Sequence, residues 1–104
     1  MATRKKINTS EEELKRKARL FAIAGDETRI KILCCLFQDG DPCVSEISEF
    51  IDASVANTSH HLQIMHKEGL LKTERRGNNV CYKLVDSDFT KELKKLICDI
   101  NIKN

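Results

Sequence analysis

The chain has 104 residues, 33% of them charged and 40% hydrophobic, with a formal net charge of only +2. That length is one domain, too small to bury a large core alone, so dimerisation is the expected source of further burial. The weak net charge means that any nucleic-acid binding comes from a local basic patch. The polar stretch Met1–Lys17 is not expected to act as a signal peptide, and no apolar run approaches the roughly 20 residues of a membrane span, so a cytoplasmic protein is expected. The five cysteines, Cys34, Cys35, Cys43, Cys81 and Cys98, are odd in number and include no C-x-x-C pair. The expected state is therefore five reduced thiols rather than a disulfide framework or a zinc ribbon.

Residues 1–9 read as a flexible basic arm carrying Arg4, Lys5 and Lys6, and 10–104 as the folded domain. Thr9 or Ser10 caps a first helix opened by three glutamates, with Leu14, Ala18 and Phe21 on one face. Gly25 ends it, and Asp26 caps a second helix. There Ile30, Leu33, Cys34 and Phe37 form a stripe, while Ile32 and Leu36 lie off it; a helix apolar nearly all round is expected at the centre of the core. After Gly40, Asp41-Pro42 is expected to open a short third helix with Val44, Ile47 and Ile51 inward. Asp52-Ala53-Ser54 breaks the chain, and Ser54 caps a fourth helix that carries Val55, Leu62 and Met65 inward as far as Gly69. Helix, three-residue turn, helix is the helix-turn-helix pattern.

Beyond Gly69 the apolar period changes from 3.6 to 2. Leu71–Arg75 reads as one strand and Val80, Tyr82 and Leu84 alternate on another, with Gly77-Asn78-Asn79 supplying the positive-φ residues of a hairpin turn. A fifth helix starts at Asp86 or Ser87 and carries Phe89, Leu93, Leu96, Ile97 and Ile100 as a stripe expected to pair with a second copy of the chain. The expected fold is mainly α with a small β-hairpin: a winged helix-turn-helix of about five helices plus a two-stranded wing, homodimeric.

The fourth helix carries the chemistry. Asn57, Ser59, His60, Gln63 and His66 face outward with Thr58 at the margin, and no acidic residue occurs from Ala53 to Lys67. An ordinary solvated helix face carries Glu and Lys. Short hydrogen-bonding side chains near a helix N-terminus instead suit base edges in the major groove. Ser54, Asn57, Thr58, Ser59, His60 and Gln63 are thus the candidate DNA-reading residues, with Arg75 and Arg76 (and Lys72) of the wing on phosphate. No G-x-S-x-G, glycine-rich phosphate loop or paired-carboxylate pocket argues for an enzyme. The remaining alternatives are a winged-helix protein-interaction module and a DNA-binding regulator without a sensing site.

Three stretches carry a family resemblance. Asp26-Glu27-Thr28-Arg29-Ile30-Lys31-Ile32-Leu33, Ser54 to Leu70 with Ser59-His60-His61-Leu62 and Glu68-Gly69-Leu70, and Arg75-Arg76-Gly77-Asn78-Asn79-Val80-Cys81-Tyr82-Lys83-Leu84 stand in order along the chain. They resemble the second helix, reading helix and wing of the ArsR/SmtB family of small regulators. The resemblance implies a homodimer through the first and fifth helices, bound to double-stranded DNA at an inverted-repeat operator and repressing transcription until a chemical inducer releases it. The inducer would be a thiol-reactive sulfur species or oxidant, or a soft metal ion. The family's third-helix metal pattern C-V-C-D-L survives only as Cys43-Val44-Ser45-Glu46-Ile47, which leaves Cys43 a weak metal candidate. Its fifth-helix pattern is reduced to Asp86-Ser87-Asp88 and Asp99-Ile100-Asn101-Ile102, without the imidazoles. One branch of the family senses with two thiols, one in an I-L-C-x-L second helix and one in the fifth. Ile32-Leu33-Cys34-Cys35-Leu36 matches the first half, and Cys98, about a turn early, supplies the second, with Cys35 as an alternative to Cys34. The competing reading of Cys34 is a buried core residue. Cys81 stands where the family pattern has an aromatic.

Overall fold

The computed structural model describes residues 9–38 and 40–98; the basic arm with Arg4, Lys5 and Lys6, and the expected contribution of Ile100, lie outside them. Five helices and one hairpin follow in the expected order: α1 (Glu11–Ala24), α2 (Glu27–Leu36), α3 (Val44–Ile51), α4 (Val55–Lys67), β1 (Leu71–Arg76), β2 (Asn79–Leu84) and α5 (Asp88–Cys98). None of the described helices is long and apolar enough to cross a membrane.

Side-chain caps set most of the helix starts. Ser10, Asp26 and Ser54 accept from the backbone N–H of Glu13, Arg29 and Asn57, satisfying one orphan donor at each helix start. At α5 the cap is Ser87, whose Oγ accepts from the Thr90 N–H at 3.2 Å. The third helix starts later than Asp41-Pro42 suggests. Cys43 is its N-cap, and residues 41–43 run extended instead, because the Tyr82 N–H donates to the Pro42 carbonyl at 3.0 Å and draws this segment against the hairpin. The three-residue turn between α3 and α4 is as expected, with Asp52 in the left-handed region at φ 54°.

The strands pair antiparallel with Arg76 opposite Asn79, so Gly77 and Asn78 form a two-residue turn. Gly77 has φ 62°, but Asn78 and Asn79 do not have positive φ. Glycine at the first central position alone is the II′ arrangement, so the expectation of a run of positive-φ residues is corrected.

The core is built from Ile32 and Leu33 of α2, Ile47 of α3, Leu62 and Met65 of α4, Leu70 just after α4, and Leu93 of α5, all essentially without exposure, closed by Leu20 and Ile23 of α1 and Tyr82 of the wing. Burial of this kind supplies the main favourable term in folding, about 25 cal/mol per Å² of apolar surface. Three apolar stripes differ from expectation. In α1 the core takes Leu20 and Ile23, whereas Leu14, Ala18 and Phe21 face outward, Phe21 at 65% exposure. In α2 the buried set is Ile32, Leu33, Cys35 and Leu36, while Ile30, Cys34 and Phe37 are half-buried at its edge. In α5 Leu93 and Ile97 are consumed by the chain's own core, which leaves Leu96 as the exposed member among the described residues. The geometric reason is shared: α5 packs on both α1 and α2, so its stripe has a partner inside the chain.

Candidate nucleic-acid interface and two cysteine pairs

The helix-turn-helix presents the polar face of α4 outward. Asn57, His60, Gln63 and His66 are exposed and Ser59 is half-exposed, with the Gln63 amide donating to Ser59 Oγ at 3.3 Å. Leu62 and Met65 hold the opposite face in the core. Two expectations here are corrected. Val55 is 54% exposed rather than inward. Thr58 is fully buried, its hydroxyl donating to the Ser54 carbonyl at 2.8 Å, so it supports the helix start and is out of reach of a base. Ser54 is exposed, but its oxygen is engaged in the cap.

On the wing, Lys72 and Arg75 are exposed and make no ion pair among the described residues. Arg76 differs. Its guanidinium donates to the Asp41 carbonyl and to the Asp41 carboxylate, both at 3.3 Å, and lies 3.4 Å from Glu74. The far edge of the reading helix is tied to α1 by Arg19, which pairs with Glu68 at 3.2 Å and lies 4.6 Å over the Phe89 ring. Beside this junction Asp26 has its carboxyl held below the usual range, first by the Arg29 backbone N–H and further by the Arg29 and His61 charges.

The cysteines separate into two places. Cys34 and Cys98 line one cleft of about 340 Å³ between α2 and α5, together with Ile30, Phe37, Lys94 and Ile97. Cys98 is exposed and Cys34 half-buried. Burial pushes the Cys34 thiol up, and the neighbouring Cys98 raises it further. Cys35 points the other way, into the core, where burial and then Glu46 and Cys34 push it up; it does not share the Cys98 cleft. Lys31, one turn before Cys35 on α2, pairs with Glu27 at 3.5 Å.

The second place is unexpected. Cys43, the α3 N-cap, forms a disulfide with Cys81 of β2, with Cα atoms 3.6 Å apart in an antiparallel bridge. Cys43 and Cys81, expected as reduced thiols, are joined here, which corrects the expectation of five free thiols. Among the described residues, no group of three or more His, Cys, Asp or Glu side chains converges on one point. The sequence carried half of the signal for the bond: Cys81 alternates onto the strand face opposite Tyr82. The other half, an extended 41–43 segment that bridges to the edge of β2, is a tertiary contact.

Comparison with known proteins matches this architecture. The model for bacterial regulatory proteins of the arsR family covers residues 26–73. The chain is 32% identical over 93 residues to a cadmium resistance transcriptional regulatory protein CadC homolog of Staphylococcus aureus, across 85% of this chain and 76% of that protein. It is 35% identical over 89 residues to an uncharacterised HTH-type transcriptional regulator of Methanocaldococcus jannaschii, across 86% of this chain and 99% of that one. Among solved structures, the AntR antimony-specific transcriptional repressor superposes with a TM-score of 0.79 at 25% identity, covering 91% of this chain and 86% of that chain. With its winged helix-turn-helix and its acid-free reading helix, the chain belongs to the arsR family of bacterial regulatory proteins and is a DNA-binding regulator of transcription.

Proposed function

We propose that this regulator is a homodimeric repressor released from an inverted-repeat operator when a thiol-reactive inducer acts at Cys34 and Cys98. The observation that carries the reading is the shared α2–α5 cleft, which holds two free thiols of different exposure. The exposed Cys98 meets the inducer first, and half-buried Cys34 resolves the adduct. A crosslink here would couple the central helix to α5, which packs on α1. Those two helices carry the exposed apolar residues Leu14, Phe21 and Leu96, the surface that supports a dimer through the first and fifth helices. A change in their seating would alter the spacing of two reading helices that must enter successive major grooves. Asn57, Ser59, His60 and Gln63 read bases in this account, while Lys72 and Arg75 hold phosphate.

A soft thiophilic ion taken by the same two thiols is the second reading, favoured by the cadmium and antimony names of the similar regulators. One experiment tests both. Reduced protein bound to a duplex selected from a random-sequence pool is challenged in parallel with a persulfide, diamide, cadmium and antimonite. Release by the first pair supports the oxidative reading, and release by the second pair supports the ion. Cys98→Ser is expected to bind DNA normally and to resist release. Release of Cys98→Ser at the wild-type dose overturns the role of this cleft.

A further inference from the structure

We propose that Cys43 and Cys81 form a second thiol switch, a reversible clasp that small disulfides close and that controls the phosphate contact of the wing. The two residues come from separate parts of the DNA-binding half. Cys43 stands at the N-cap of α3, the first helix of the helix-turn-helix, and Cys81 in β2 of the wing. Their Cα atoms are 3.6 Å apart across an antiparallel bridge, so the two residues are direct neighbours. Both are nearly enclosed, Cys43 at 8% and Cys81 at 1% exposure.

The clasp acts through Arg76. With the disulfide closed, the 41–43 segment is fixed on the hairpin, and Asp41 takes the Arg76 guanidinium through its carbonyl and its carboxylate. That guanidinium, with Glu74 also beside it, is turned back on the protein and neutralised. With the thiols reduced, what holds the segment is the Tyr82–Pro42 hydrogen bond and exposed ion pairs, which are weak on their own. Phosphate then competes with Asp41 for Arg76, because a guanidinium binds phosphate oxygens through the same paired donors. Oxidation therefore removes one phosphate contact per subunit and leaves the reading helix untouched.

The chemistry is thiol–disulfide exchange. The Cys43 thiolate, the more exposed of the two, attacks one sulfur of a low-molecular-weight disulfide and expels one small thiolate. The Cys81 thiolate then attacks the Cys43 sulfur of the mixed disulfide and expels the second. Two cysteine thiols are oxidised, the small disulfide is reduced to two thiols, and the two cysteine protons pass to the departing thiolates. Excess small thiol reverses both steps.

The test uses the full chain in a Cys98→Ser background, which silences the α2–α5 cleft and so keeps this proposal separate from the preceding one. Reduced protein is treated with oxidised glutathione, the linked peptides are mapped by mass spectrometry, and binding to a selected duplex is followed by fluorescence anisotropy from low to high salt. The expected result is a Cys43–Cys81 peptide pair and a several-fold loss of affinity at low salt. The slope of log affinity on log salt becomes shallower by about 0.9 per subunit. Adding Cys43→Ser should remove both changes without altering binding of the reduced protein. Arg76→Ala should make the reduced form bind as weakly as the oxidised one, with no further loss on oxidation. Failure of the Cys43–Cys81 pair to form overturns the proposal. So does a pair that forms with affinity and salt slope unchanged, or an Arg76→Ala variant that still weakens on oxidation.

Discussion

Two cysteine pairs occupy different places in one small fold, and they differ in burial and in bonding. Cys34 and Cys98 are free and border a cleft between α2 and α5. Cys43 and Cys81 are nearly enclosed, already bonded, and join the helix-turn-helix to its wing. In the accounts proposed above, the first pair would act on DNA by moving one subunit against another, and the second, in β2 of the wing and at the N-cap of α3, would act without any such movement. Enclosure slows exchange at the bonded pair, and an open cleft favours entry of an inducer. In the proposed account the first pair senses the inducer and the second switches a contact within the DNA-binding half.

The largest effect that separates the pairs is on stability. Cys43 and Cys81 are 38 residues apart in sequence, and closing a loop of that size restricts the unfolded chain by about 4 kcal/mol. In Cys98→Ser, urea unfolding of the oxidised protein should show that margin over the same protein reduced, with the gap absent once Cys43→Ser is added. Equal midpoints in the two redox states would remove the structural side of the comparison.

Next in size are the DNA contacts. Asn57→Ala or His60→Ala should cost about 1–3 kcal/mol on the preferred duplex and little on mixed sequence. Arg75→Ala should weaken all sequences alike and lower the salt slope by about one per subunit. Both effects should be the same whether Cys43–Cys81 is open or closed, in contrast to Arg76→Ala. A redox-dependent Arg75 effect would show that the clasp moves the whole wing rather than one guanidinium. Dimerisation sharpens the other half of the comparison. Phe21→Lys with Leu96→Lys changes only exposed apolar positions, and should yield folded monomers by sedimentation that no longer respond at Cys98. A double variant that remains dimeric places the interface elsewhere.

The fold was legible because local signals agreed with one another. Ser10, Asp26 and Ser54 cap the helices they appeared to cap, Gly77 makes the turn, and the switch from period 3.6 to period 2 after Gly69 marks the start of β1 at Leu71. What the sequence did not show depends on contacts between distant segments. The α5 stripe looked unpartnered because periodicity cannot show that α1 and α2 converge on it. Thr58 looked available to DNA because its position on the wheel is marginal, and the hydrogen bond to Ser54 decides its direction. Cys43 and Cys81 could not be paired because odd cysteine counts say nothing about a β-bridge between an N-cap and a wing. Of the candidate thiols, Cys34 and Cys98 do share a cleft, while Cys35 was separated from them by a single step around the helix, which turns it into the core.

The smallest effect lies in the protonation of Cys34. Its thiol is pushed up first by burial and second by the neighbouring Cys98, so the folded state keeps the proton past the pH at which an unfolded cysteine loses it. The sign is fixed by linkage: this residue's contribution to stability is complete below the ordinary cysteine value and is lost as pH rises through the raised one. The same shift makes Cys34 a slow nucleophile near neutrality, because the thiolate is the reactive form. Alkylation of the reduced protein with iodoacetamide, followed peptide by peptide, should therefore label Cys98 before Cys34, and the Cys34 rate should climb with pH to a midpoint above that of a free cysteine. In Cys98→Ser the charge contribution disappears while the burial contribution stays. The Cys34 midpoint should then move down yet remain raised. A midpoint that falls to the free-cysteine value would mean that charge, and not burial, sets it. Cys34 would then be as open as Cys98, and the order of attack proposed for the cleft would have to be reversed or abandoned.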